Sequence, residues 1–462
     1  MRESLQGADV GAFLGYAGWD LAAMEVVMTG MAKMGLMVCL VGGVGMMGAC
    51  LSGPVAPVGA ASAGPDEAGV GYRVLKPIES GDLTLFPVVR GKSAGSDPFL
   101  TLDEGLRSGE VEVTEAGKVQ GLVRSRSGAN TPVVYRGDQV NTLVLVNHSS
   151  KPLLLLAGEI VTGGKQDRIV ASDRIVPGDS DPIDLGVFCV EHGRWTESSE
   201  KFGGSAKAPS QSFMVQPEVR QQAMVAKSQQ QVWDSVGGAV AGLAIAAAPP
   251  AGAHGVRGSS ETTTVVVGAE NNLPVESANS SAMVISGASV DALASPTRSL
   301  GTTSYAKAMA NGAVAQKVDE AAPELAKSRE QVLAQLKAEH AVGVVVAVKG
   351  EIIWADMFAD SDLLARYWVK LVRSYAAEGL TTAGRRDVGA TMAEAQRFLD
   401  APMRGAETST GEVGVYRYEE AKAGTTEQFV LESLLPGAAG EVHVSRLKVR
   451  GVVRVNSGMM LR

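Results

Sequence analysis

Between Tyr72 and Trp195 short apolar runs alternate with Gly, Asn, Asp and Pro. Leu83–Val88, Glu110–Thr114, Val119–Arg124, Val140–Val146 and Leu153–Ala157 have strand length and turn-forming boundaries, which predicts a β-rich block. Within it, Thr101 and Glu104 have capping-box spacing and predict a short helix over Thr101–Ser108. The period then changes. Pro217–Val236 reads as a helix, with Pro217 suited to its first position. Gly237–Thr303 is rich in Ala, Gly, Ser, Thr and Asn and has few aromatics and little periodicity. Such a composition buries too little surface to offset its ordering entropy, so a flexible insertion is expected, with a helical start at Gly238–Ala248. Helical patterns return over Ser304–Asp319 and Pro323–His340, where Leu325, Val332 and Leu336 line one face and Gly343 can follow the end. Val344–Val348 and Ile352–Met357 flank Lys349-Gly350-Glu351, a hairpin signal. Leu364, Tyr367, Trp368, Leu371 and Tyr375 keep the i, i+3, i+4, i+7, i+11 spacing of an amphipathic helix, with Gly379 read as its stop. Thr391 with Glu394 starts another short helix. Strands are expected again near Val415–Glu419, Gln428–Glu432, Val442–Leu447 and Val449–Val455.

Strand blocks and helix blocks without strict βαβ alternation indicate an α+β fold, with a β-rich N-terminal half and mixed helices and strands in the C-terminal half. The expected segments are an over-extended start plus signal peptide (1–63), a β-rich part (72–236), the long flexible insertion (237–303), a helix-hairpin-helix part (304–400) and C-terminal strands (401–462). No internal repeat is visible.

The N-terminus adds export. Lys33 followed by the apolar, glycine-rich Met34–Cys50 and then a small-residue stretch reads as the n- and h-regions of a signal peptide. The run is short and glycine-rich for a membrane span, which needs about 20 apolar residues. The thirty residues before it carry acids and no positive cluster, so Met28 or Met31 is the expected true start. Two processing sites compete: Met47-Gly-Ala-Cys50, a lipobox-like run that would lipidate Cys50, and Ala61-Ser-Ala63, which suits ordinary signal peptidase. An uncleaved membrane anchor is the alternative. The expected location is therefore the periplasm or a lipoprotein anchor, or full secretion, with membrane contact only through signal or lipid.

Charge removes one class of partner. The first fifty residues carry Arg2 and Lys33 against Glu3, Asp9, Asp20 and Glu25, a net of −2, so the remainder carries −6 of the −8 total. Without a long basic patch, no nucleic-acid partner is expected. Of the three cysteines, Cys39 and Cys50 fall in the signal region, which leaves Cys189 as the thiol of the folded part and no intramolecular disulfide there.

Candidate chemistry concentrates between Leu153 and Trp195. Gly158-Glu159, Gly163-Gly164-Lys165-Gln166-Asp167-Arg168 and Cys189-Val-Glu191-His192-Gly193-Arg194-Trp195 set charged residues among apolar strands. Alternate residues of a strand share a face, so Cys189 and Glu191 would point together, and Gln166 and Arg168 together opposite Lys165 and Asp167. Glu159 ends an apolar strand, where a carboxylate needs a partner, and Lys165, Arg168 or Arg194 could supply it. One reading is a pocket in which Lys165, Gln166, Arg168, Arg194 and Trp195 hold a small anionic ligand, with Glu159 or Glu191 as general base and Cys189 as nucleophile. The other is a salt-bridged rim with Cys189 as an ordinary core residue. Trp233, Trp354 and Trp368 are expected in the core or at an interface.

Several motifs fail on inspection. Gly43-Val-Gly45-Met-Met-Gly48 matches G-x-G-x-x-G, but Pro54 and Pro57 follow where a dinucleotide site needs a helix. A phosphate loop ending at Lys165 would need Gly at 159 and Ser or Thr at 166, which are Glu159 and Gln166. The histidines His148, His192, His254, His340 and His443 form no i, i+4 pair, so no metal is expected, and no cofactor either.

The Gly158–Arg168 and Phe188–Trp195 blocks, with Pro177 between them, resemble the ARG-and-rhodanese-phosphatase-superfamily-associated protein domain. The Val344–Phe358 hairpin and the helix carrying Tyr367-Trp368 and Arg373-Ser-Tyr375 resemble it as well, over roughly Tyr72–Val236 and Ser304–Leu399. That family is named for associated domains such as ADP-ribosylglycohydrolases and not for an activity. The resemblance implies that Glu159, Lys165, Gln166, Arg168, Cys189, Glu191, Arg194 and Trp195 form a shared site, without giving their roles. Two functions stay open: a non-catalytic envelope module that binds a ligand or partner, and a hydrolase or transferase acting on a phosphate- or carboxylate-bearing small molecule.

Overall fold

The hairpin Ala341–Val348 and Glu351–Phe358 is the centre of the molecule. Its turn places Lys349 at φ 50° and Gly350 at φ 83°. Two successive positive φ values give the primed turn whose twist matches that of the flanking strands, and glycine adopts the second without steric cost. The strand Ala341–Val348 is buried along its whole length because both of its faces are covered. Val344, Val346 and Val348 pack with Leu364, Tyr367, Trp368 and Leu371 of the long helix Ser361–Thr381. Val345 and Ala347 pack on the other face with Phe398 and Leu399 of the helix Met392–Asp400. A strand buried on both sides reads as a continuous apolar run, which is how this one is written.

In this computed structural model the described residues are 71–91, 98–121, 123–124, 133–203, 213–248, 300–384, 388–404 and 407–450. The expectations for the extended start, the signal segment, the Gly43–Gly48 motif, Cys39 and Cys50 fall outside them, as do residues 249–299 of the insertion and the end of the last expected strand. Among the described residues no helix is long and apolar enough to cross a membrane.

The fold is α+β. Around the central hairpin runs a nine-stranded sheet in the order Tyr72–Val74, Leu83–Arg90, Ala341–Val348, Glu351–Phe358, Gly440–Lys448, Thr426–Ser433, Tyr416–Ala423, Glu407–Glu412, with Ile78–Ser80 also paired to Leu83–Arg90. Strands from both ends of the described chain therefore meet in one sheet. A smaller β block carries the candidate chemistry. Its five-stranded sheet runs Val111–Glu115, Thr142–Asn147, Ile183–Cys189, Arg168–Val170, Ile160–Val161. A three-stranded sheet of Arg174–Val176, Leu153–Leu155 and Leu100–Thr101 packs against it through a shared core that includes Leu145, Leu155, Val170, Val176 and Leu185.

Local chemistry explains where the helices differ from expectation. Both capping boxes form, Thr101 with Glu104 and Thr391 with Glu394. Pro217–Val236 is not one helix: Pro217–Gln221 passes into a π turn over Gln222–Ala226, Lys227 takes φ 50°, and Ser228 caps a new helix, Gln229–Ala247. Ser304–Asp319 divides at Asn311, whose side chain accepts from the Ala313 and Val314 N–H groups and so begins Gly312–Ala321. Pro323–His340 divides at Ser328 into Pro323–Lys327 and Arg329–Ala338. Gly379 does not stop the long helix, which continues to Thr381 through a buried last turn closed by the Thr382 N–H on the Glu378 carbonyl. Instead of a strand over Val119–Arg124 there is a tight turn at Ala116–Lys118, its Gly117 N–H held by Asp138, and isolated bridges at Val123 and Arg124.

Candidate functional site

The sequence-derived candidates resolve into separate clusters, and the first lies between Arg168 and Trp195. Arg168 and Cys189 are cross-strand partners, because the end of Ile183–Cys189 pairs antiparallel with Arg168–Val170. Arg168 is fully buried and donates through Nε to the Val140 carbonyl at 2.9 Å. Its Nη1 and Nη2 are also buried and hydrogen-bond to nothing among the described residues. Above the guanidinium lies the Trp195 ring, 5.7 Å away, and Lys165 Nζ lies 5.2 Å from the same ring. Lys165 is tied to Asp138 at 2.7 Å, and its N–H donates to Glu115 Oε1 at 2.7 Å. Glu115 Oε2, equally buried, accepts no hydrogen bond among the described residues. Trp195 is 44% exposed, so it is a roof facing solvent.

The loop that brings these groups together depends on Gly164. It adopts φ 48°, and a Cβ there would lie 2.2 Å from the Phe202 ring and 2.7 Å from Glu115 Oε1. Only glycine lets the loop pass between Phe202 and the carboxylate.

Cys189 is held in its reduced, neutral form. Its Sγ–H points to Gln166 Oε1 at 2.7 Å, and Gln166 Nε2 donates to the Glu191 carbonyl at 2.9 Å. Burial pushes the thiol up to about 11, even with Arg168 beside it. The Cys189 backbone is latched on both sides by the Gln229 side chain. His192 gives no help to the thiol: it is exposed and stacks edge-on with Trp233, centroids 4.8 Å apart.

Glu191 belongs to a second cluster. Beyond the strand end at Cys189 it meets Arg194 at 2.6 Å and Lys307 at 2.7 Å, and accepts from the Asp167 N–H. Asp167 in turn accepts from Ser304 Oγ at 2.6 Å and from the Gly163 N–H. Burial alone would raise the Glu191 carboxyl, but hydrogen bonds from Arg194 and Lys307 outweigh it and hold the group below the usual range. Arg194 also donates to the Gly164 and Thr196 carbonyls.

Glu159 sits in a third cluster, and its partner is not one of those expected. Lys165 and Arg194 pair with Asp138 and Glu191, Arg168 belongs to the first cluster, and Glu159 is paired with Lys370 of the long helix, which also meets Asp103 at 2.6 Å. Glu159 Oε2 accepts from the Leu156 N–H at 2.6 Å. Glu159 and Lys370 are almost without exposed surface. Periodicity could not reveal this pairing, because Lys370 stands 211 residues further along the chain.

A fourth cluster was missed entirely from the sequence. Arg220 grips both oxygens of Asp356, at 3.0 and 2.9 Å, and donates to Ser445. His443 bridges Asp173 through Nδ1 at 2.6 Å and Asp356 through Nε2 at 3.2 Å, and Tyr375 donates to Asp356. Burial lowers His443, but Asp173 and Asp356 outweigh it and carry the imidazole up to about 9, so it is a cation at neutral pH. The cluster then holds two anions and two cations in a site closed to solvent. The available signal was Asp356 amid Ile352-Ile-Trp-Ala and Met357-Phe, a carboxylate too costly to bury unpaired.

A family model, the ARG and Rhodanese-Phosphatase-superfamily-associated Protein domain, matches residues 71–447. The chain belongs to that family. The ARG-and-rhodanese-associated domain thus spans the β block, the central hairpin, the long helix and the C-terminal strands together. No curated protein and no solved structure matches the chain. Among the described residues no three His, Cys, Asp or Glu side chains are grouped to hold a metal ion.

Trp354 and Trp368 are buried in the core, as expected for anchors. The four clusters differ in one respect that bears on chemistry. Glu159, Glu191 and Asp356 each have their charge matched by cations in direct contact, whereas the Arg168 guanidinium has two unengaged ends beneath an exposed aromatic ring.

Proposed function

We propose that the protein is a non-catalytic, exported binding module that takes a small anionic ligand at Arg168, beneath Trp195. The observation that carries this reading is the pair of Arg168 terminal nitrogens that, at a fully buried position, have no hydrogen-bond partner among the described residues. A buried donor without an acceptor costs about 1–3 kcal/mol. The planar fork of a guanidinium suits a carboxylate or phosphate held by two parallel hydrogen bonds. Lys165, Gln166 and Trp195 complete the site, while Arg194 supports it by donating to the Gly163 and Gly164 carbonyls of the loop.

The hydrolase or transferase reading gains less support from the same geometry. Cys189 is a neutral thiol at physiological pH, and thiolate is the nucleophilic form. Glu159 is locked to a lysine away from solvent, and Glu191 is held by two cations. Export rests on the Met34–Cys50 pattern, and mass spectrometry of the native N-terminus would find the chain beginning at a lipidated Cys50 or after Ala63.

Calorimetric titration with acetate, inorganic phosphate and sulfate at low ionic strength tests the ligand reading. Saturable binding to the wild type and its loss in Arg168→Met is the expected result. Equal heats from both proteins across the set would sink it.

A further inference from the structure

The site that Arg168 anchors has a second pole. Glu115 Oε1 is occupied by the Lys165 N–H, but Oε2 is buried and without a partner among the described residues, and the residue is 1% exposed. Arg168 and Glu115 are near enough for each to shift the other electrostatically, yet they form no ion pair. Two opposite charges that share one interior and do not touch are an unusual expense. Closing them onto each other would satisfy both. Their arrangement offers donors at one end, beneath the Trp195 ring, and an acceptor at the other, beside the Lys165 backbone.

We infer that the ligand is a small zwitterion, with a carboxylate or phosphate on Arg168 and an ammonium on Glu115. This rests on the Arg168 reading and adds the second pole to it. A simple anion would satisfy the guanidinium and leave the Glu115 oxygen unpaired, in a carboxyl that burial, with Asp138 nearby, already pushes above the usual range. An ammonium meets that oxygen with a charge-assisted hydrogen bond. A neutral pair of poles also accounts for the local balance: Lys165 is matched by Asp138, so Arg168 and Glu115 are the charges left for a ligand.

Entry requires Trp195 to move. Its ring is held by contacts with Lys165 and Arg168 and is the exposed member of the site. Arg194, the residue before it, stays anchored to Glu191 and to the Gly164 and Thr196 carbonyls, so the movement is a rotation of the exposed Trp195 side chain. The indole contact with Arg168 is then exchanged for the ligand, and the ring closes over the zwitterion in place of the bare guanidinium.

Matched ligand pairs on the intact protein test this. Glycine is compared with acetate, and phosphoethanolamine with phosphate, by calorimetry and by tryptophan fluorescence. The expected result is at least about tenfold tighter binding of the zwitterion in each pair, equivalent to about 1.4 kcal/mol, with an emission change that Trp195→Phe abolishes. In Glu115→Gln the carbonyl oxygen still accepts from Lys165 while the amide replaces Oε2, so the advantage of the zwitterion disappears and anion binding stays. Equal affinity within both pairs on the wild type would overturn the zwitterion and leave the anion site standing. Absence of binding by all four compounds would overturn both.

Discussion

Lys370 lies against Glu159 and Asp103 with 3% of its side chain exposed, and that placement decides what a substitution does. Glu159→Gln leaves the ammonium short of one buried partner and is expected to cost about 3 kcal/mol in chemical denaturation. The double variant Glu159→Leu with Lys370→Met removes both charges and should recover most of that loss, since a buried pair is roughly replaceable by packed apolar groups. Arg168 behaves in the opposite way. Arg168→Met removes unpartnered donors and is expected to raise stability by about 1–3 kcal/mol while ligand binding is lost, which a thermal melt beside the titration will read. His443 gives a pH signature. Its folded value of about 9 lies above its ordinary 6.5, so its contribution is complete below pH 6.5 and fades as pH rises through 9. The loss is on the order of 3 kcal/mol, and denaturant midpoints at pH 6 and pH 9.5 should show it in the wild type and much less of it in His443→Gln. At this scale the sequence disclosed residue types but not their pairing. Arg168 meets Cys189 as a cross-strand partner and Gln166 accepts from the thiol, contacts between two motif blocks that are close in the chain, whereas Lys370, Ser304 and Lys307 reach Glu159, Asp167 and Glu191 from distant helices that no spacing rule connects to them.

Elements were more legible, and the exceptions share a cause. The two capping boxes, the hairpin turn and the amphipathic face of Ser361–Thr381 rest on contacts within a few residues, and all formed as read. Gly379 was misread as a stop because the weak local penalty of a helical glycine, about 1 kcal/mol, is outweighed by the packing of the last turn. Glu407–Glu412 escaped notice because it is the polar, exposed edge of the sheet and carries no apolar alternation. The interruption at Lys227 invites a direct test. Lys227 adopts a left-handed conformation that disfavours a side chain, and its ion pair with Glu420 is largely in water. Lys227→Gly is therefore expected to stabilise by about 0.5–1 kcal/mol, seen as a shift in denaturant midpoint with unchanged slope.

The sequence suggested successive segments, and the molecule weaves them into one sheet. Leu83–Arg90 pairs with Ala341–Val348, and Glu351–Phe358 pairs with Gly440–Lys448, so in the large sheet both the 72–236 part and the 304–400 part also need strand partners from outside themselves. Arg220 from the first part likewise finds Asp356 and Ser445 from the later ones. Residues 71–236 expressed alone should lack a cooperative unfolding transition by circular dichroism, and a sharp two-state melt would refute this. Such weaving has a consequence in time. The pairing of Leu83–Arg90 with Ala341–Val348 closes a loop of more than two hundred residues, and long loop closures slow folding. Until Gly440–Lys448 leaves the ribosome, Glu351–Phe358 has only its hairpin partner Ala341–Val348, and Asp356 cannot yet be enclosed with both Arg220 and His443. The large sheet thus cannot close until its late strand has been made, and for a chain proposed to be exported, that delay is the interval in which a translocase can take hold of it.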